Sequence, residues 1–369
     1  MAASAADQRW MALALSLGRR GQGRVWPNPA VGCVIIAQNR VVGRGWTQAG
    51  GRPHAETMAL SQAGDRARAA TVYVTLEPCS HHAQTPPCTD ALISAGVARV
   101  VAAMQDPYPA VDGAGFKKLR SVGIEVDVLD GPVAEQAQRD HAGFVSRILN
   151  RRPTVTLKLA SSVDGRIATA TGESRWITGP SARRLVHGLR ARHDAVMVGG
   201  GTMRADDPAL TVRGLGPTHQ PVRVVLSRRL SLPRDSQMAA TANEVPVWLC
   251  HGTNTEASDL EFWGERGATL LACNTGPGGQ LDPISALKAL GEKGLTRVFC
   301  EGGGALAASL LAADLVDRLV TFTAGVAIGA EGRPEIGAMG VASLAEAPRF
   351  ELEDSHIIGG DVMLTWRRA

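Results

Sequence analysis

Four side chains constrain this chain more than any other feature: His54, Glu56, Cys79 and Cys88. An imidazole and two thiolates make a three-ligand metal set with an open fourth position, the arrangement of a catalytic rather than a structural zinc. To use them, the fold must bring three widely separated positions to one point. Thr71–Leu76 reads as a buried strand, Cys79 follows it, and Cys88 stands where Thr89–Ser94 begins a helix. His54–Gln62 has helix-forming composition, so His54 and Glu56 share a first turn. Thiolates at helix starts are favoured by the positive end of the backbone dipole.

In such a site zinc lowers the pKa of water, and Glu56 is placed to carry the proton to a departing amine. His-x-Glu followed by Pro-Cys and a further Cys is the pattern of zinc deaminases, in which the glutamate is not a ligand. A structural zinc would want a fourth ligand, for which His81 and His82 stand near, but Glu56 would then have no task.

The rest of the chain is an alternation of strands and helices. The 369 residues suit two domains, and 44% apolar with 20% charged residues is a globular balance. Asp7–Arg20 is predicted helical, and Val31–Ile36 and Arg40–Gly43 form a hairpin turning at Gln38-Asn39. Strand Ala98–Met104, helix Phe116–Ser121 and strand Ile124–Leu129 follow. Strands separated by helices imply parallel pairing. The charged stretch Arg147–Pro153 marks a boundary, giving expected domains 1–147 and 153–369. Beyond it, strands are expected at Thr154–Leu159, Ala195–Val198, Val222–Leu226, Val245–Leu249 and Arg297–Cys300. Helices are expected at Ser181–Arg192, Pro283–Glu292 and Ala305–Ala312, with loops at Gly201–Arg213 and Arg228–Glu244.

Net charge is +4, without a run of Lys/Arg to track a nucleic-acid backbone. The six cysteines are too sparse for a disulfide framework. Asp7 and Arg9 interrupt any leader-like apolar start, so a cytoplasmic location without membrane attachment is expected.

Particular motifs sharpen this reading. Pro27-Asn28-Pro29-Ala30-Val31-Gly32, His54-Ala55-Glu56, Thr75-Leu76-Glu77-Pro78-Cys79-Ser80-His81-His82 and Thr85-Pro86-Pro87-Cys88 resemble the deaminase half of the bifunctional riboflavin-biosynthesis enzymes. Eight residues separate the two cysteines, where most nucleoside and tRNA deaminases have two. Leu157-Lys158-Leu159-Ala160-Ser161-Ser162-Val163-Asp164-Gly165-Arg166, Gly172-Glu173-Ser174-Arg175-Trp176-Ile177-Thr178 and Asp206–Arg213 resemble the reductase half. The resemblance implies an α/β protein: an N-terminal cytidine-deaminase-like three-layer α/β/α domain and a C-terminal dihydrofolate-reductase-like α/β domain. It implies two reactions on phosphorylated pyrimidines: deamination with one zinc per chain, then reduction of the ribosyl side chain by NADPH. A homo-oligomer is expected, with no nucleic-acid or membrane partner.

By the same resemblance Asn28 and His81 line the base pocket. Three positions depart from the family: Ala83 and Gln84 replace a glycine and a basic residue, and Thr47 stands where some members carry His. Ala160, Trp176, Thr202, Asp206, Ser227 and the turn and helix Gly303, Gly304, Ala305, Leu306, Ala307, Ala308 and Ser309 are expected to contact NADPH. Ser174, Arg190, Leu210, Arg213 and Glu301 are expected to hold substrate, the two arginines facing its phosphate. Lys158 interrupts an apolar strand, and burying an ammonium costs too much without a partner. It is assigned to the reduction, polarising or orienting the open-chain sugar at C1′.

Read without the resemblance, Gly199-Gly200-Gly201 and Gly302-Gly303-Gly304 are glycine turns near helix starts, suited to phosphate or simply to tight turning. Neither is Gly-x-Gly-x-x-Gly, so a Rossmann site is excluded. Two further classes remain: a nucleic-acid deaminase with an accessory domain, and a catalytically inactive binding protein. The first wants a basic aromatic face, against 4% aromatics here; the second is opposed by the intact His54, Glu56, Cys79 and Cys88.

Overall fold

Gln38 and Asn39 both take left-handed backbone (φ 47° and 59°), the paired positive φ of a tight hairpin whose twist matches its strands. They join β1 (Gly32–Ala37) to β2 (Arg40–Trp46). In this computed structural model, which describes residues 4–81, 86–109, 111–216, 219–276 and 278–369, the chain forms two compact units meeting in sequence at Arg151 and Arg152.

The first unit has the strand order β2-β1-β3-β4-β5, with β3 (Thr71–Val74), β4 (Arg99–Ala102) and β5 (Glu125–Val128) parallel to one another and β1 antiparallel to both its neighbours. Alternate side chains enter opposite cores. Cys33, Ile35, Val72 and Val74 pack with Ala55 and Ala59 of α2 (Ala55–Ala63), Leu92 of α3 (Cys88–Ser94) and Phe116 and Leu119 of α4 (Ala114–Ser121). Val34, Ile36 and Tyr73 pack with Met11, Ala14 and Leu15 of α1 (Ala5–Gly18) and Ala137 of α5 (Gly131–Leu149). These are three layers. Gly43 and Gly45 let α2 lie close on β2, since a Cβ at either would strike the backbone of Ala59 or Ala55.

The 19-residue α5 was not expected. Asp130-Gly131-Pro132 reads as a break, yet proline is tolerated in a first helical turn, and the buried face is made of small residues such as Ala134 and Ala137. The helix runs to Leu149, into the stretch read as a boundary.

The second unit is a nine-stranded sheet in the order β11-β10-β9-β8-β12-β6-β13-β16-β15. In chain order its elements are β6 (Thr154–Ser162), β7 (Arg166–Ala168), α6 (Pro180–Arg190), β8 (Ala195–Gly199), α7 (Gly200–Asp206) and β9 (Val222–Leu226). Then come α8 (Gln237–Ala240), β10 (Val247–His251), α9 (Ala257–Glu265), β11 (Thr269–Ala272), α10 (Pro283–Glu292) and β12 (Arg297–Cys300). The unit ends with α11 (Gly304–Ala312), β13 (Arg318–Ala324), β14 (Arg333–Pro334), β15 (Phe350–Ile358) and β16 (Asp361–Arg368). From β11 to β13 the pairing is parallel; β16 and β15 are antiparallel additions, and β14 pairs with β7 apart from the main sheet.

Two stretches read as loops contain helices: α7 lies mostly within 201–213 and α8 within 228–244. The triple glycine hides α7, and α8 is a single turn capped by Ser236, whose hydroxyl accepts the N–H of Ala239. Strands β11, β13, β15 and β16 and helix α9 were not anticipated; β15 is exposed along nearly its whole length and shows no apolar face. Among the described residues, no helix is long and apolar enough to cross a membrane.

Candidate active sites of the two units

His54 immediately precedes α2, Cys79 lies in the turn after β3, and Cys88 opens α3. His54 Nδ1 is 3.3 Å from Cys88 Sγ and 3.7 Å from Cys79 Sγ, and all three ligand atoms lie within 4.8 Å of one another. Tetrahedral zinc with bonds of about 2.3 Å to sulfur and 2.0 Å to nitrogen sets such ligands roughly 3.6 Å apart. Spacing and donor chemistry both fit zinc. His81, the fourth-ligand candidate, is not in this group; His82, Ala83, Gln84 and Thr85 lie outside the described residues.

The backbone N–H of Cys88 donates to Cys79 Sγ at 3.3 Å. Cys79 is held down to about 4, first by the hydrogen bond from the Cys88 thiol, against the effect of burial. His54 is raised, chiefly by its hydrogen bond with Cys79. Glu56 is buried in the first turn of α2, and burial, helped by the charge on Cys79, pushes it up to about 7. Such a carboxyl can take and return a proton near neutral pH.

Around this centre, Gly51 (φ 86°) leaves room for Asn28, whose side-chain amide a Cβ there would overlap. His81 Nδ1 is buried with no hydrogen-bond partner among the described residues, an unmet group of the kind a bound ring satisfies. Thr47 is buried and its Oγ1 accepts the N–H of Val31 at 3.0 Å, so it pins the approach to β1. Glu77, unassigned from sequence, accepts from the N–H groups of Gly113 (2.9 Å), Asp106 (3.2 Å), Gly115 (2.9 Å) and Phe116 (3.3 Å). It fastens the Pro78-Cys79 turn to the start of α4. The available signal was a carboxylate at the end of a buried strand, which demands donors.

In the second unit, the candidates gather on two cavities. A smaller one of about 530 Å³ is lined by Lys158, Ala160, Ser174, Trp176, Arg190, Leu210, Arg213 and Glu301. A larger one of about 1130 Å³ is lined by Gly303, Gly304, Ala305, Leu306, Ala308 and Ser309 at the start of α11. Ser174, Thr202 and Asp206 line both. Thr202 Oγ1 accepts the N–H of Gly303 at 3.2 Å, tying the two glycine turns together. The larger cavity suits a dinucleotide: positions 305, 308, 309 and 312 face it from successive turns, and a Cβ on Gly304 would meet the carbonyl of Pro334 at 2.6 Å. Ala307 points into the core, fully buried. Ser227 lines neither cavity and is buried beside the Gly200 turn.

Glu301 follows β12 and grips Arg190 with both oxygens, at 2.5 Å to Nε and 3.0 Å to the guanidinium. The remaining Arg190 nitrogen donates to the carbonyl of Thr211 at 2.8 Å. Burial alone would raise Glu301, but Arg190 and, less strongly, Lys158 hold it below its ordinary value. Burial lowers Lys158; Glu301 opposes that and Arg190 adds to it. His187, also unassigned from sequence, lines the same cavity, and its Nδ1 accepts the N–H of Arg213 at 3.2 Å. A lone His on a polar helix face offered nothing to single it out.

The metal group with its buried glutamate, and the lysine cavity opening on a glycine-walled one, define a zinc-dependent deaminase joined to a nicotinamide-dependent reductase. Residues 4–104 match the cytidine and deoxycytidylate deaminase zinc-binding region, and residues 153–364 match the RibD C-terminal domain. Riboflavin biosynthesis protein RibD of Escherichia coli (strain K12) is 42% identical over 370 residues, covering 97% of this chain and 98% of that protein. RibD of Aquifex aeolicus is 40% identical over 362 residues, covering 98% of each. Among solved structures, form 2 of Acinetobacter baumannii RibD gives a TM-score of 0.85 at 35% identity, covering 99% of each chain. The Thermotoga maritima diaminohydroxyphosphoribosylaminopyrimidine deaminase/5-amino-6-(5-phosphoribosylamino)uracil reductase gives 0.85 at 31% identity, also covering 99% of each.

The chain belongs to the RibD family of riboflavin biosynthesis. It is a bifunctional deaminase and reductase that uses zinc in one activity and NADPH in the other. The first unit is the expected cytidine-deaminase-like three-layer domain, and the second is an α/β domain that matches the RibD C-terminal domain.

Proposed function

We propose that residues 1–147 remove the 2-amino group of 2,5-diamino-6-(ribosylamino)-4(3H)-pyrimidinone 5′-phosphate by hydrolysis. Residues 153–369 then reduce the ribosyl side chain of the product, giving 5-amino-6-(5-phospho-D-ribitylamino)uracil. The observation that carries this reading is the presence, in one chain, of Glu56 beside the His54–Cys79–Cys88 group and of Lys158 beside a dinucleotide-sized cavity.

His54, Cys79 and Cys88 would hold the zinc, which would supply the Lewis acidity that makes water a nucleophile near neutral pH. Asn28 and His81 orient the ring by hydrogen bonds. Glu56 takes a proton from the attacking water and delivers it to the amino nitrogen as the C2–N bond breaks and ammonia leaves. In the second unit NADPH, held along the larger cavity, would supply the hydride. The hydride adds to C1′ of the opened sugar, the carbon of its C=N bond to the pyrimidine nitrogen; Lys158 orients and polarises the sugar there, with Glu301 opposite as the carboxylate that favours its ammonium. Arg213 faces the phosphate as the freer cation, because the donors of Arg190 are already engaged by Glu301 and Thr211. Ser174 and Leu210 complete the substrate wall. Ala160, Trp176, Thr202, Asp206 and the α11 turn receive the cofactor, with Ser227 supporting the Gly200 turn from beneath. The protein works in the cytoplasm as a homo-oligomer.

The deciding experiment supplies the diaminopyrimidine nucleotide with and without NADPH and identifies products by mass spectrometry. Ammonia and the aminouracil ribosyl nucleotide are expected without NADPH, and the ribityl nucleotide with it. Consumption of NADPH before any deaminated nucleotide forms would overturn the order.

A further inference from the structure

The larger cavity of the reductase unit has a charge problem. Asp206 and Glu173 both line it, yet it must accept a dinucleotide whose pyrophosphate is dianionic. Two cationic side chains line it, Arg175 and Arg333. Arg175 donates to the carbonyl of Asp206 at 2.9 Å, on the wall shared with the smaller cavity. Arg333 differs: among the described residues its guanidinium has no acceptor and no carboxylate partner, and it lines the larger cavity alone.

Its position is built rather than incidental. Arg333 begins β14, which pairs with β7, whose Ala168 also lines the cavity. The next residue, Pro334, has its carbonyl against Gly304. Gly337 N–H donates to the Gly304 carbonyl at 2.9 Å. This segment is therefore held against the first turn of α11. The guanidinium reaches across to the facing loop, where a Cβ on Gly172 (φ 97°) would come within 3.1 Å of it. The first-turn N–H groups of Gly304 and Ala305 have no helical acceptor. Fixed donors and a free fork-shaped cation thus border the same space, a combination suited to phosphate oxygens.

We infer that Arg333 is a cofactor-binding residue that closes over the pyrophosphate of NADPH at the start of α11. This rests on the reductase reading above. The hydride-donating ring must reach the wall shared with Lys158's cavity, so the group meeting Arg333 beside Gly304 is the central pyrophosphate. The 2′-phosphate at the adenosine end is the competing occupant, and comparing NADP⁺ with NAD⁺ separates the two.

The test is calorimetric titration of the full-length protein with NADP⁺ and with NAD⁺, comparing wild type, Arg333→Ala and Arg333→Lys. Both cofactors carry the pyrophosphate and only one carries the 2′-phosphate. Arg333→Ala is expected to raise both dissociation constants about tenfold, leaving their ratio unchanged, with Arg333→Lys between. Unchanged urea unfolding of the variants reports a folded reductase unit, and deamination, measured as ammonia release, stays at the wild-type rate. Weakening of NADP⁺ alone would reassign Arg333 to the 2′-phosphate and overturn the inference, as would unchanged constants. Failure of the wild type to bind NADP⁺ would instead overturn the reductase reading on which the inference stands.

Discussion

In the deaminase unit, three side chains from the starts of α2 and α3 and the turn after β3 converge on one point. Reactivity there resides in atoms that few residue types possess. In the reductase unit the cavity is walled largely by glycines, alanines and backbone, and the charged side chains Lys158, Glu301 and Arg190 stand at one side. A point site tolerates little loss, because each ligand has no substitute. A distributed cavity loses affinity by degrees, except where a buried charge depends on its partner.

The largest effects should come from crossing the two centres. Glu56→Gln removes the proton carrier but no metal ligand. Deamination should fall about a thousandfold, with one zinc per chain retained by atomic absorption and reduction of the deaminated nucleotide unchanged. Lys158→Ala should do the reverse, lowering reduction about a hundredfold with ammonia release untouched. Loss of both activities in either variant would break the separation between the units.

That contrast also explains what was legible beforehand. His54, Glu56, Cys79 and Cys88 were readable because histidine and cysteine at catalytic-zinc spacing are chemically rare. Lys158 was readable as a charge inside an apolar strand. Gly303, Gly304 and Ala305 carry no reactive side-chain atoms, and a triple glycine looks the same in sequence whether or not phosphate rests on it. Only the family resemblance gave them a role. Ala307 shows the limit of assigning a whole turn, since one face of α11 meets the cavity and 307 is on the other. Glu77 and Arg333 were invisible because their roles depend on segments far along the chain. The fold was legible wherever strands were buried on both faces, as at β8, β9 and β12. It was lost at β15, which is exposed, and at α5, whose buried face is too small-grained to show an apolar period.

A smaller effect would sharpen the comparison within the reductase cavity. Arg190 and Glu301 are nearly buried together, so removing Arg190 leaves the Glu301 carboxylate without its hydrogen-bonded partner and with only the weaker attraction of Lys158. Arg190→Met should destabilise the protein by about 3 kcal/mol in urea unfolding. Adding Glu301→Gln should recover more than half of that, because the stranded carboxylate is gone. Additive losses would mean that the two side chains act separately and that the cavity has no charge of this kind to protect.

The deaminase unit carries its own ion network, placed in the core on α1 and the sheet. Asp7 accepts from Arg99 at 2.9 Å, Tyr73 at 2.7 Å and Ser4 at 2.7 Å, and Arg99 also bonds Asp127 at 2.7 Å. Burial would raise Asp7, but these donors, Arg99 foremost, hold it down to about 2. A carboxyl whose folded pKa lies below its unfolded value of 3.8 stabilises the fold fully above that value. The contribution is lost as pH falls toward 2, and its size is about 2 kcal/mol at neutral pH. Asp7→Asn should therefore lower the urea midpoint at pH 6, and the gap from wild type should close progressively between about pH 4 and pH 2. Because Asp7 touches no zinc ligand, the zinc content of the folded variant at pH 7 should equal that of wild type. A gap that stays constant down to pH 2 would show that Asp7 contributes through packing alone, and that Arg99 is neutralised by Asp127 without it.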